Sequence, residues 1–310
     1  MRPNVAVLDI GSNSIKVLVA ARADDGQLQP LLHKSLDARI SAGISAAQPR
    51  LSEDGMTRGI AAIRELLALV APHAPTRIQL VATSAVRDAA NGAEFRARIL
   101  AATGHEVRIL TGEEEANSIG RGLTTDPTLA ALRNFYVFDL GGGSLECLAF
   151  RERRIEQAMS LQLGCVRLME KLVPDASAPL SADSRAAIAA HVTDGIRAAG
   201  LRLDSNRAAV GTGGTVATVR AILGARSGAA MEETPAWVTV AQLRDLLDLL
   251  APMTLETRRR VPGLPPGRAD VFPTALVTFL ALAAEGGFTE FQHSVRNLRY
   301  GLAAELLESL

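Results

Sequence analysis

Apolar and polar positions along the chain sort into two rounds of one pattern. Val5–Leu8 is a β-branched-rich run that ends at Asp9, passes through a polar turn (GSNS, 11–14) and resumes as a second strand over 15–21. Residues 28–36 read as a third strand, so the start of the chain predicts an antiparallel meander. From Glu53 the apolar positions take helical spacing, with Ser52 placed to cap the start and Pro72 and Pro75 to stop the end. Residues 77–86 (RIQLVATSAV) read as a buried strand, and 91–104 as a helix capped by Asn91 and closed by Gly104. A strand over 105–110 and the opening of another helix at 111–123 complete the round.

The pattern then restarts. Residues 135–150 are strand, acid, glycine turn and strand, and 153–163 give a third strand. A helix near 183–199 follows, then a strand that breaks into a glycine turn and a helix (208–223). Helices are expected over 239–253 and 270–284, with an amphipathic one over 294–310. Asp9-Ile-Gly and Asp139-Leu-Gly hold the same place in the two rounds. Two repeats are too few for a solenoid. They predict two related α/β domains, 1–125 and 126–310, facing each other across a cleft, a preferred location for a ligand site. The boundary falls in 124–134, and the C-terminal helix, about 295–310, is expected to pack internally, back toward the hinge.

Composition narrows the function classes. The 310 residues are 48% hydrophobic and carry no formal net charge. That permits a sizeable core and argues against a protein that coats nucleic acid or an anionic membrane, while leaving room for a local basic pocket. One tryptophan and few other aromatics give no base-stacking platform. The five histidines are scattered, and the two cysteines, Cys147 and Cys165, form no CxxC, so a zinc site is not expected. No segment approaches the ~20 apolar residues of a membrane span. The first residues enter a turn at once and do not read as a signal peptide, so a cytoplasmic protein is expected.

The chemistry gathers at the turns. Gly11, the run Gly141–Gly142–Gly143 and the pair Gly213–Gly214 each follow a strand. Glycine there lets a bulky anion approach free backbone amides, although Asp-Gly and Gly-Gly also make ordinary hairpins. An acid beside an anion cradle suggests a divalent cation between them. Magnesium is commonly held by one or two carboxylates plus waters and phosphate oxygens, which fits Asp139 with Glu146. In ILTGEEEA, Thr111 and Glu114 match a capping box, and the helix dipole favours acids at such a start. That leaves Glu113 and Glu115 without a capping role, and Glu115 is placed to act as a general base on water. Arg87, just past a buried strand, suits either stabilisation of a transferring phosphoryl group or an ion pair with Asp88.

Taken in order, VLDIGSNSIKVLVA, ATSAVRDAAN, ILTGEEEA, VFDLGGGSLE, LGCVRL, GTGGT, LPPGRADV and the closing LRYGL resemble the exopolyphosphatase/guanosine pentaphosphate phosphohydrolase (Ppx/GppA) family, in a short form without the further helical domain of long members. The resemblance implies two actin-like (ribonuclease H-like) domains of the sugar kinase and actin superfamily. It implies in-line hydrolysis of the terminal phosphate of inorganic polyphosphate, with guanosine pentaphosphate as the alternative substrate. Glu115 matches the family's catalytic glutamate, and Asp139 and Glu146 match the acids of its magnesium (or other divalent cation) site. Ser12, Asn13, Arg87, Gly141, Gly142, Gly143 and Ser144 match phosphate-contacting positions. Leu145 stands where the family usually has threonine, and ARISAGI (38–44) keeps Arg39 and Gly43 but loses an acid. Pro273–Ala275 replaces a Gly-Ala pair. An ATP-dependent kinase or a phosphate or nucleotide sensor on the same fold are the readings from other classes. A homodimer is compatible with the sequence, and no nucleic-acid or membrane partner is expected.

Overall fold

The structure is a computed structural model that describes residues 2–41, 44 and 48–310. Gly43 lies outside the described residues. The chain divides into two units: unit 1 is Met1–Ala131, Ala158–Ser160 and Arg296–Leu310, and unit 2 is Leu132–Gln157 and Leu161–Val295.

In unit 1 the meander is β1 (Asn4–Ile10), β2 (Ser14–Arg22) and β3 (Leu28–Asp37). Helix α1 (Glu53–Val70) starts where the Ser52 side chain accepts from the Gly55 amide and ends just before the turn that holds Pro72. Then come β4 (Arg77–Ala82), the single turn α2 (Ser84–Arg87), α3 (Gly92–Thr103), β5 (Val107–Ile109) and α4 (Gly112–Thr124). The sheet order is β3-β2-β1-β4-β5, with β1 antiparallel to β2 and parallel to β4. All seven residues of β1 are buried, as expected of a strand covered on both faces.

Two local expectations are corrected. The strand expected over 77–86 ends at Ala82, because Thr83 turns its carbonyl to the amides of Val86 and Arg87 and opens α2. Asn91 precedes α3 but does not cap it with its side chain. That amide instead pairs with both the N–H and the carbonyl of Leu51, at 2.8 and 2.9 Å, tying the approach to α1 to the start of α3.

Unit 2 contains β6 (Phe135–Leu140), β7 (Leu145–Arg151), β8 (Arg154–Leu161), α5 (Cys165–Leu172), α6 (Ala182–Ala198) and β9 (Ala208–Thr212). It continues with α7 (Gly214–Ser227), β10 (Trp237–Thr239), α8 (Val240–Leu250), α9 (Leu255–Arg258), α10 (Phe272–Gly286) and β11 (Glu290–Ser294). The sheet order is β10-β11-β9-β6-β7-β8. Read from β8, it repeats the order of unit 1, with β6 antiparallel to β7 and parallel to β9, and with β10 added at one edge. This is the ribonuclease H-like order of the actin-like plan. Its core is aromatic: Phe135 stacks on Phe150 with centroids 4.4 Å apart, and Phe291 meets the edges of Phe138, Phe279 and Phe288.

The last helix, α11 (Leu298–Glu308), belongs to unit 1 and packs on β1, β2 and α4. It is not amphipathic along its length, since Leu298–Ala304 are all buried. It meets α4 backbone to backbone. A Cβ on Gly122 would collide with the Asn297 carbonyl, and one on Gly301 with the Ser118 carbonyl.

Candidate active site

Unit 1 gathers its candidate residues at the C-terminal ends of neighbouring strands, where α/β folds place ligand groups. Ser12 and Asn13 follow β1, and both are buried. The Asn13 carbonyl accepts from the amides of Ala38 and Arg39, the latter in a left-handed conformation at φ 45°, which anchors the turn from below. Asn13 Nδ2 is buried with no hydrogen-bond partner among the described residues. So is Ser84 Oγ, which follows the adjacent parallel strand β4. A buried polar atom left unsatisfied costs ~1–3 kcal/mol, so two at adjoining strand ends mark a place suited to a polar ligand. Sequence reasoning missed Ser84. Its only signal was its place between a strand end and Arg87.

Glu115 lies in the first turn of α4. Thr111 and Glu114 form the capping box in both directions, at 3.1 and 2.8 Å, and the Thr111 amide, with help from Arg108, holds the Glu114 carboxyl below its ordinary range. Glu113 is exposed, whereas Glu115 is only 5% exposed. Its Oε2 is 3.0 Å from Arg87 Nη1, which also donates to the Leu110 carbonyl at 2.8 Å. Arg87 Nε lies 3.5 Å from Asp88 as well, so the ion pair and the contact with Glu115 coexist. The structure thus joins two candidates 28 residues apart in sequence.

In unit 2 the register sets Asp139 on β6 directly opposite Glu146 on β7. Both are buried, at 9% and 2% exposure. Between them runs the turn Gly141–Ser144, closed by the Gly141 amide on the Ser144 carbonyl. Its other carbonyls are taken by the start of α5. Cys165 N–H donates to Gly141 O, Val166 and Arg167 N–H to Gly142 O, and Arg167 Nε to Gly143 O. In a planar trans peptide the next N–H points opposite the carbonyl. The amides of Gly142, Gly143 and Ser144 therefore point away from α5, as successive donors of the kind that bind anions.

The second glycine turn closes on the same acid. Gly213 has φ 82°, and a Cβ there would run into Asp139 Oδ1, so both the backbone and the carboxylate require glycine. Gly214 opens α7, whose start has no side-chain cap, and the Arg268 guanidinium lies against it. Arg268 also reaches Thr218 Oγ1 at 3.3 Å. A helix start with open amides beside an arginine favours an anion. Arg268 lies within LPPGRADV, and nothing in the sequence places it over a turn 54 positions earlier. Leu145 is fully buried and pairs with Leu140, so the departure from threonine is filled by core packing.

The residues present fit a divalent cation of the magnesium type. Two buried carboxylates face each other across a strand pair, the paired-acid arrangement by which magnesium is commonly held. Among the described residues there is no group of three or more His, Cys, Asp or Glu suited to a metal.

The two units repeat one α/β plan, that of the actin-like fold class. The model of the Ppx/GppA phosphatase family matches residues 19–310, and the chain belongs to that family. It is therefore a phosphohydrolase, of a family whose substrates are polyphosphate or guanosine polyphosphates. Among solved structures, an exopolyphosphatase from Cytophaga hutchinsonii superposes with a TM-score of 0.87 at 20% identity, covering 99% of this chain and 98% of that one. The Aquifex aeolicus PPX-GPPA enzyme gives 0.79 at 24% identity over 98% of this chain and 100% of that one. A protein described as exopolyphosphatase-like gives 0.87 at 25% identity, with 98% and 97% covered. No helix among the described residues is long and apolar enough to cross a membrane.

Proposed function

We propose that the protein is an exopolyphosphatase that removes the terminal phosphate of inorganic polyphosphate by in-line attack of water. The observation that carries this reading is the three-amide turn of unit 2 bracketed by the buried pair Asp139 and Glu146. A row of backbone donors beside two carboxylates suits a chain of phosphates. The Gly142–Ser144 amides, the Gly213–Gly214 turn with Arg268, and Ser12 and Asn13 bind and orient phosphate oxygens. Asp139 and Glu146 hold the magnesium or other divalent cation, which when bound neutralises charge on the phosphate oxygens.

Glu115 orients the water and takes its proton as the new P–O bond forms and the anhydride P–O bond breaks. The proton leaves the water, and the shortened polyphosphate departs as an anion. Arg87 fixes the Glu115 carboxylate and presents a cation to the transferring group. Phosphoryl transfer needs positioning and charge stabilisation more than covalent chemistry, and these residues supply both.

The test is phosphate release from long polyphosphate, short polyphosphate, guanosine pentaphosphate and ATP, each with and without magnesium. Fastest release from polyphosphate, with magnesium required, is the expected result. Faster release from guanosine pentaphosphate would move the substrate to the nucleotide, and no release from any would sink the reading. Glu115→Gln is expected to lower kcat by ~10²–10⁴ while polyphosphate binding persists. A near wild-type rate in that variant would remove Glu115 from the base role.

A further inference from the structure

The two rounds of the fold carry the same acid in the same place but set side chains of opposite charge directly across from it. In unit 2 Asp139 lies across from Glu146, and in unit 1 Asp9 lies across from Lys16. Each partner stands seven residues after its aspartate, so Lys16 occupies in unit 1 the position that Glu146 occupies in unit 2. A second cation joins Asp9 from α11. Arg299, only 4% exposed, places Nη1 3.7 Å from Asp9 Oδ2 and Nη2 2.9 Å from His33 Nε2 on β3. Lys16, Leu18 and His33 share the face of the sheet that carries Asp9, by strand alternation and register, and Arg299 lies on that face. One aspartate thus faces an acid, and its counterpart faces two bases.

We propose that Arg299 is a positioning residue: with Lys16 it is the built-in counter-charge of Asp9, a role that a divalent cation held by Asp139 and Glu146 would fill in unit 2. The inference rests on the reading of Asp139 and Glu146 as the cation site. Asp9 opens the turn that presents Ser12 and Asn13, and a buried carboxylate without compensation there would repel a phosphate. Arg299 cancels that charge without needing a metal. Its planar fork reaches Asp9 and His33 at once, which an ammonium on a flexible stem does not reproduce. The exchange of Glu146 for Lys16 between the rounds puts a base across from Asp9 where unit 2 has a second acid across from Asp139.

The test combines steady-state kinetics on polyphosphate with Mn²⁺ binding followed by electron paramagnetic resonance in the absence of substrate. Arg299→Gln is expected to raise KM about tenfold, with a smaller effect on kcat, because it uncovers a charge that opposes substrate binding. Adding Asp9→Asn removes the uncovered charge, so the double variant is expected to return KM to within about threefold of wild type. Arg299→Lys should fall between wild type and Arg299→Gln. Asp9→Asn should retain the Mn²⁺ site, and Asp139→Asn should lose it. Loss of Mn²⁺ binding in Asp9→Asn would overturn the proposal, as would a double variant no better than Arg299→Gln. If Arg299→Gln fails to fold and the double variant folds, the charge account is supported. If both fail, Arg299 serves the fold alone and the proposal is wrong. Should Asp139→Asn keep its Mn²⁺, the cation reading of unit 2 falls, while the KM suppression still reports on Arg299.

Discussion

Gly213 shows how tightly single residues are specified around the unit 2 acids. Its φ of 82° belongs to glycine, and the space where a side chain would start is filled by the Asp139 carboxylate. Gly213→Ala therefore combines backbone strain, of order 1–3 kcal/mol, with displacement of a proposed cation ligand. The expected outcome is a lower urea midpoint together with weaker Mn²⁺ binding, and an unchanged Mn²⁺ affinity would separate the turn from the acid. At this scale much of the candidate site's local arrangement was legible in the sequence. An acid, glycines and a second acid can be read along the chain, and the capping box left Glu113 and Glu115 as surplus acids, of which only Glu115 is buried. The contacts across sequence were not legible. Nothing local tells that Arg87 meets Glu115 or that Arg268 covers Gly214, because those contacts are made only when distant strand ends and helix starts come together.

Among elements, the crossing of α4 and α11 has the least tolerance. Gly122 and Gly301 let the helix backbones touch, and α4 carries Glu115 in its first turn. Gly122→Ala or Gly301→Ala must push the helices apart, at a cost of ~1–3 kcal/mol typical of overpacking. A fall in kcat alongside the lower melting temperature is expected, because the Glu115 carboxylate moves with its helix. A melting shift with kcat intact would show that the first turn of α4 is held by Arg87 and the Thr111 cap alone. The helical and meander elements were readable because their apolar periodicity was strong. Strand β11 was not, since Glu290-Phe-Gln-His-Ser has no apolar run, yet Gln292, His293 and Ser294 are buried beside β9. His293 is accommodated there by Arg220 at 2.8 Å, and Ser294 by Thr212. The amphipathic reading of α11 failed for a related reason, as a buried arginine with charged and polar partners looks from sequence like a solvent-facing one.

For the whole molecule, the repeat of acid, glycine turn and meander was the most readable feature, and the matching strand orders of the two units are its physical counterpart. Assignment of α11 to unit 1 was less readable, because its burial depends on the glycine seam. The same packing gives stability a pH dependence. His33 is an exposed residue of β3, but its Nε2 edge lies against Arg299 Nη2; burial of that edge first, then Arg299 and Lys16, push its pKa down to about 4 from the ordinary 6.5. The unfolded chain therefore takes up this proton at a higher pH than the folded one. The stability that depends on neutral His33 is fully present above about pH 6.5 and is lost progressively as pH falls toward about 4. Urea unfolding from pH 8 to pH 4 should show this slope, and His33→Gln should flatten it.

Both cysteines lie in unit 2 next to its acids and turn: Cys147 follows Glu146, and the Cys165 amide holds the Gly141 carbonyl. Burial pushes the Cys147 thiol well above its ordinary range and Cys165 up to about 11, so neither is a ready thiolate at neutral pH. The native protein should consequently be slow to react with a thiol reagent, and the rate it does show should measure how often this part of unit 2 opens. Saturating magnesium should slow that labelling in wild type and leave it unchanged in Asp139→Asn. The chain thereby carries, without any engineered probe, its own clock for the opening of the Gly141–Ser144 turn.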